Sequence, residues 1–133
     1  MKLRRIFSDV WDVWAICAQN GEDVIAQLDM PEADLDAALA LFVRVAGHER
    51  GPSILPDNRN HAISDDPKIL QLSIDKFRFA YFFDGRKIII VCHAFGRHGG
   101  KSGKTARSDI KVARANFAAY FAAKADTTLE YED

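Results

Sequence analysis

The chain has 133 residues, a length that fits one domain of the usual size, and its 48% hydrophobic and 28% charged residues exclude a disordered or fibrous chain. The formal net charge of −1 conceals a segregation: residues 1–67 hold 6 basic and 12 acidic side chains, residues 68–124 hold 12 and 3, and residues 125–133 hold none and 4. No apolar run approaches the roughly 18 residues of a membrane span, and Met1 to Phe7 is followed by acids rather than a signal-like apolar stretch, so a cytoplasmic protein with no membrane partner is expected.

Residues 10–18, rich in aromatic and β-branched types, predict a first strand that ends at Asn20-Gly21. Residues 22–29 read either as the return strand of an Asn-Gly hairpin or as a short helix with Val24, Ile25 and Leu28 on one face, and helix is favoured. Pro31, Glu32 and Asp34 make a helix start, followed at helical spacing by Leu35, Leu39, Phe42, Val43 and Ala46. Residues 52–67 carry three prolines and several Asp and Asn, which predicts a long turn-rich connection.

From residue 69 the apolar period becomes two. Leu70, Leu72 and Ile74 alternate with Gln71 and Ser73, and Phe77, Phe79, Tyr81 and Phe83 alternate with Lys76, Arg78, Ala80 and Phe82. Asp84-Gly85 is a hairpin turn signal, and residues 87–94 are apolar on both faces, as in a central strand. An antiparallel meander of three strands results. Residues 108–124 then predict a closing helix with Ile110, Ala113, Phe117, Tyr120 and Phe121 along its core stripe, and residues 125–133 a frayed acidic tail. Tyr81 and Tyr120 belong to the core by this parity, and His48 and His61 take no role.

Cys17 and Cys92 lie far apart in apolar surroundings without a Cys/His cluster, which argues for buried reduced thiols rather than zinc or a disulfide. The loop from Phe95 to Thr105 nearly spells a phosphate-binding loop, but His98 stands where that motif needs glycine and only 28 residues follow Thr105. Nucleotide hydrolysis is disfavoured on that ground, and no cofactor or metal is expected.

A basic unit of this kind suits RNA instead. Metal-free RNA cleavage uses the neighbouring 2′-hydroxyl as nucleophile, so the protein supplies an acid or base near neutral pH and donors for the phosphate charge. His93 and His98 suit the first task because histidine titrates near pH 7. Arg78, Arg97, Lys101 and Lys104 suit the second, and Arg78 leaves its strand on the same side as Gln71 and Ser73. His93 also has a plain reading as a strand-end packing residue, and Lys101 and Lys104 as solvated loop charges.

The sequences Ile69-Leu70-Gln71-Leu72-Ser73-Ile74, Phe77-Arg78-Phe79-Ala80-Tyr81-Phe82-Phe83-Asp84-Gly85 and Val91-Cys92-His93-Ala94-Phe95, then a basic loop, Asp109-Ile110 and Ala113-Arg114, together resemble the RelE/HigB toxins of type II toxin-antitoxin systems, in their phage-derived toxin-like branch. The resemblance spans residues 22–122 and is specific from residue 69. It implies an α+β, RelE-like fold, an antiparallel sheet flanked by two N-terminal helices and one C-terminal helix, as a single domain over residues 1–133. It further implies a cognate antitoxin as partner and metal-independent mRNA cleavage on the ribosome at a basic site. Together with the reading of the residues above, Arg78, His93, Arg97 and His98 are the expected catalytic residues and Lys76, Lys101, Lys104 and Arg107 the expected RNA contacts. Arg78 matches the family's third-strand arginine, and Arg97-His98 falls at its Lys/Arg pair. Gln71 and Ser73 replace the family's Glu and Arg, and the loop is about three residues longer. A non-catalytic inhibitor of gyrase, as in the related ParE proteins, or an inactive binding module are the alternatives.

Overall fold

A computed structural model of the chain describes residues 1–97 and 104–133. Among these residues the elements are β1 (Lys2–Ser8), β2 (Asp12–Ile16), α1 (Glu32–Ala46), β3 (Asn60–Asp65), β4 (Lys68–Ser73), β5 (Phe77–Phe83), β6 (Ile88–Gly96), α2 (Arg107–Ala125) and β7 (Glu130–Glu132). All seven strands join one sheet in the order β3-β4-β5-β6-β2-β1-β7. Strands β3 to β6 form an antiparallel meander. β2 joins β6 in parallel, β1 pairs antiparallel with β2, and β7 returns parallel to β1.

The expected antiparallel sheet flanked by two N-terminal helices and one C-terminal helix is therefore corrected: the sheet is larger and mixed, and the described residues hold two α-helices, one before the meander and one after it. The segment at 22–29 forms no α-helix. The carboxylate of Asp23 accepts the backbone N–H groups of Ile25 and Ala26, both at 2.9 Å, and left-handed Asp29 (φ 49°) ends the turn, so only a single 3₁₀ turn over Ala26–Leu28 forms. Asn20-Gly21 closes a narrow loop across which Cys17 pairs with Asp23.

Three further elements depart from expectation. Lys2–Ser8 is a strand, the polar connection at 52–67 contains edge strand β3, and the acidic tail contributes β7. β1 pairs along β2 with Leu3 buried, and β7 lies along its other edge, where Lys2 pairs with Glu132 at 2.7 Å, Arg5 with Asp133 at 2.9 Å, and Tyr131 meets the Trp14 ring edge-on at 5.2 Å.

The helices cover opposite faces of the sheet. On the α1 side Phe42 and Val45 meet Val13, Leu72, Phe79, Tyr81, Ile89 and Val91. On the α2 side Ala113 and Tyr120 meet Trp14, Ile69, Phe82, Ile90 and Cys92. Strand β6, fourth of seven, is buried on both faces, as its unbroken apolar run dictates. Phe82 lies within 4.8–5.5 Å of the rings of Phe117, Tyr120 and Phe121, so β5 has two core faces rather than the expected one. Helix α1 is rolled relative to its predicted stripe: Ala38, Leu41, Phe42, Val45 and Ala46 are buried, whereas Leu39 and Val43 are 38% and 45% exposed. Nearly every position from 37 to 46 is apolar, so periodicity could not choose the face.

Candidate functional site

Cross-strand register assembles the site. Ser73 of β4 faces Arg78 of β5, which faces Phe95 of β6, and one step along Gln71 faces Ala80, which faces His93. Because strand side chains alternate, Gln71, Ser73, Arg78, His93 and Phe95 share the α2 face of the sheet. Arg78 and His93 are diagonal neighbours in this register, with backbones about 7–8 Å apart.

Arg78 is half-buried, and its Nη1 donates to the carbonyl oxygens of Ile74 and of Phe77, the latter at 2.9 Å. Its neighbours Arg59 and Arg97 line the same concavity of about 230 Å³, with Asn58, Ser73 and Asp75. Burial, and then the like charge of Arg97, push the pKa of Arg78 below the usual arginine value, while Asp75 opposes the shift. Three arginines line this one small space and the charges of Arg78 and Arg97 repel there, so an anion of phosphate size would offset both burial and that repulsion. Two hydrogen bonds hold the frame: the Arg97 N–H donates to the Lys76 carbonyl at 2.8 Å, and the Ser73 N–H donates to the Arg59 carbonyl at 2.9 Å.

His93 Nε2 lies 2.9 Å from Asp109 Oδ1, and the imidazole stacks on Phe95 with centroids 5.0 Å apart. A carboxylate only accepts, so Nε2 carries the hydrogen in this pair and the lone pair of a neutral ring sits on Nδ1. Asp109 belongs to the first turn of α2, where the helix dipole favours its charge. The segment leading into that helix is tied to the sheet by Thr105 Oγ1, which donates to Gln71 Oε1 at 2.6 Å, and Gln71 in turn reaches Ser73 Oγ at 3.4 Å. Gln71 and Ser73, both buried, thus serve to position this corner.

The sequence-predicted residues divide as follows. Arg78 and Arg97 share the concavity, and His93 stands beside them on the same face. Lys76, at the approach to β5, is exposed, and so are Lys104 and Arg107 at the approach to α2. Arg107 continues into a basic stripe with Lys111 and Arg114 along a second concavity of about 390 Å³. His98 and Lys101 lie outside the described residues. Arg59 was missed by sequence reasoning, because its connection carried no periodic signal; the anchoring bond from Ser73 to its carbonyl is a tertiary contact. Among the described residues no set of three His, Cys, Asp and Glu side chains gathers as a metal site, and no helix is long and apolar enough to cross a membrane.

Comparison of the chain with family models, with characterised proteins and with solved structures finds no match.

Proposed function

We propose that this chain is a metal-independent endoribonuclease that cuts mRNA on the ribosome in the cytoplasm, the toxin half of a pair restrained by a cognate antitoxin protein. The observation that carries the reading is the convergence of Arg59, Arg78 and Arg97 on one small concavity beside the His93–Asp109 pair. The RelE/HigB wording of residues 69–114 supports it independently. In this mechanism the arginines take the scissile phosphate and stabilise the charge that grows on its oxygens as the 2′-hydroxyl attacks; the P–O5′ bond breaks, leaving a 2′,3′-cyclic phosphate, and the departing 5′-oxygen takes a proton from water. His93, oriented by Asp109, accepts the hydroxyl proton through Nδ1. The exposed Lys104, Arg107, Lys111 and Arg114 hold the flanking backbone.

A second reading, a binding module without chemistry that inhibits a target such as gyrase, is favoured by Gln71 and Ser73, which stand where the resembled family carries Glu and Arg.

Purified protein added to ribosomes translating a defined mRNA, with new RNA ends mapped, separates the two. Codon-phased cuts are expected, reduced about 100-fold or more in Arg78→Ala, the usual loss for one oxyanion donor, and by a similar factor in His93→Ala. Intact mRNA with the wild-type protein sinks the nuclease reading, and cuts unchanged in both variants place the chemistry elsewhere.

A further inference from the structure

A groove runs on from the arginine concavity round the β4–β5 turn to the exposed side of α1. Its volume is about 360 Å³, its floor is apolar with Ala40, Leu41 and Ile74, and Arg44 and Arg59 stand at its sides. The two spaces are contiguous in composition, since Arg59, Ile74 and Asp75 line both. Arg44 lies in the last turn of α1 and is exposed, as is Ala40 one turn earlier on the same face.

We infer that this groove is a nucleotide subsite, which holds the residue of a single-stranded RNA next to the phosphate bound by Arg78 and Arg97, its base laid on the apolar floor and its own phosphate on Arg44. The inference rests on the function proposed above and adds the length and register of the RNA that the site takes. Flat apolar surface flanked by cations is what an unstacked nucleotide needs, because the base loses water from its faces while the backbone keeps a counter-charge. Arg59, common to both spaces, spans the two phosphates. Asp75, the acid common to both, disfavours a phosphate directly over the turn and so keeps the phosphates to either side of it. An acidic peptide would also find the arginines, but would leave the apolar lining of Ala40, Leu41 and Ile74 without a ring to cover it.

Calorimetric titration of the full chain tests this with two probes, a 2′-O-methyl RNA trimer that cannot be cut by its own 2′-hydroxyl and a 3′-phosphorylated mononucleotide that fills the arginine concavity alone. The trimer is expected to bind on the order of tenfold more tightly, the scale of one stacked base. Ala40→Phe, which fills the groove from an exposed position, and Arg44→Ala should each erase that advantage and leave the mononucleotide unchanged. Arg44→Ala should also lower the salt slope of trimer binding by about 0.7, one single-strand phosphate contact, a change that a purely structural role for Arg44 would not produce. Equal binding of trimer and mononucleotide, an advantage that survives Ala40→Phe, or a short polyglutamate binding as well as the trimer each overturn the subsite. Loss of mononucleotide binding in Arg78→Ala supports it, and if the wild type shows the groove effect yet leaves mRNA uncut, the nuclease reading falls while the subsite stands. Failure of both probes to bind the wild type overturns both.

Discussion

At the scale of single residues the fold depends on a few positions where backbone and side chain leave no slack. Gly51 has φ +58°, and a Cβ there would come within 2.6 Å of the Trp11 ring. That ring is itself held, with its Nε1 donating to the Glu49 carbonyl at 3.2 Å and its face tilted against Phe83. A side chain therefore meets left-handed backbone strain of about 1–2 kcal/mol and an overpacked contact of about 1–3 kcal/mol. Gly51→Ala should lower unfolding free energy in urea by about 2–4 kcal/mol, and a loss under about 1 kcal/mol would show that the Trp11 ring gives way. Arg78 presents the opposite case, a cation kept half-buried among backbone carbonyls, where burial disfavours its charge. Its place on one face with Gln71 and Ser73 was legible from alternation alone, since the pleat fixes which strand residues share a face. The pairing of His93 with Asp109 was not, because sixteen residues separate them and the connection between strand and helix sets the approach.

At the scale of elements the β1–β7 pair is the least expected and the most readily tested. Its ion pairs are exposed and screened by water, so they add little, and the Trp14–Tyr131 contact contributes about 1 kcal/mol. Removing residues 129–133 should cost about 1 kcal/mol and speed hydrogen exchange of β1 amides, while β5 and β6 amides stay slow. Slow exchange throughout β1 after truncation would mean that β7 contributes nothing to the edge. Elements with strong local signals were readable: α1 from its Pro-Glu start, β4 to β6 from period two and the Asp84-Gly85 turn, α2 from its aromatic stripe. β3 and β7 are the edges of the sheet and β1 lies just inside β7. All three carry polar or charged residues in place of a regular apolar alternation, so their strand character comes from the strands they pair with.

At the scale of the molecule the two cores share a response to alkali. Burial pushes the Cys92 thiol up to about 12, and raises the pKa of Tyr81 and, with help from the Asp84 carboxylate, that of Tyr120. Each group keeps its proton in the folded chain at a pH where the unfolded chain has released it. The folded state then binds more protons, so stability is intact below about pH 9 and falls as pH rises from there towards 12. Cys92→Ala should flatten the fall between pH 9 and 12 in a series of urea titrations, and a slope identical to the wild type would place the alkaline sensitivity on the tyrosines alone. Charge segregation at this scale was fully visible in sequence, yet its meaning was only half so. Arg78 and Arg97 share one concavity and Arg107, Lys111 and Arg114 line another, but Lys87 and Lys124 are taken up by Glu49 and Asp84, and the acids of the tail close on Lys2, Arg4 and Arg5 instead of standing in solvent.

The parallel seam between β1 and β7 also imposes an order of assembly during synthesis. Residues 2–4 leave the ribosome first and receive their outer neighbours only when residues 130–132 have been made, and β2 likewise waits for residues 88–91 before its other edge is met. The N-terminal hairpin thus emerges with both edges open and is closed from one side by the meander, then from the other by the tail. A nascent chain halted after β6 would present its hairpin docked on one side and bare on the other, a species with a sheet edge available to any extended segment nearby.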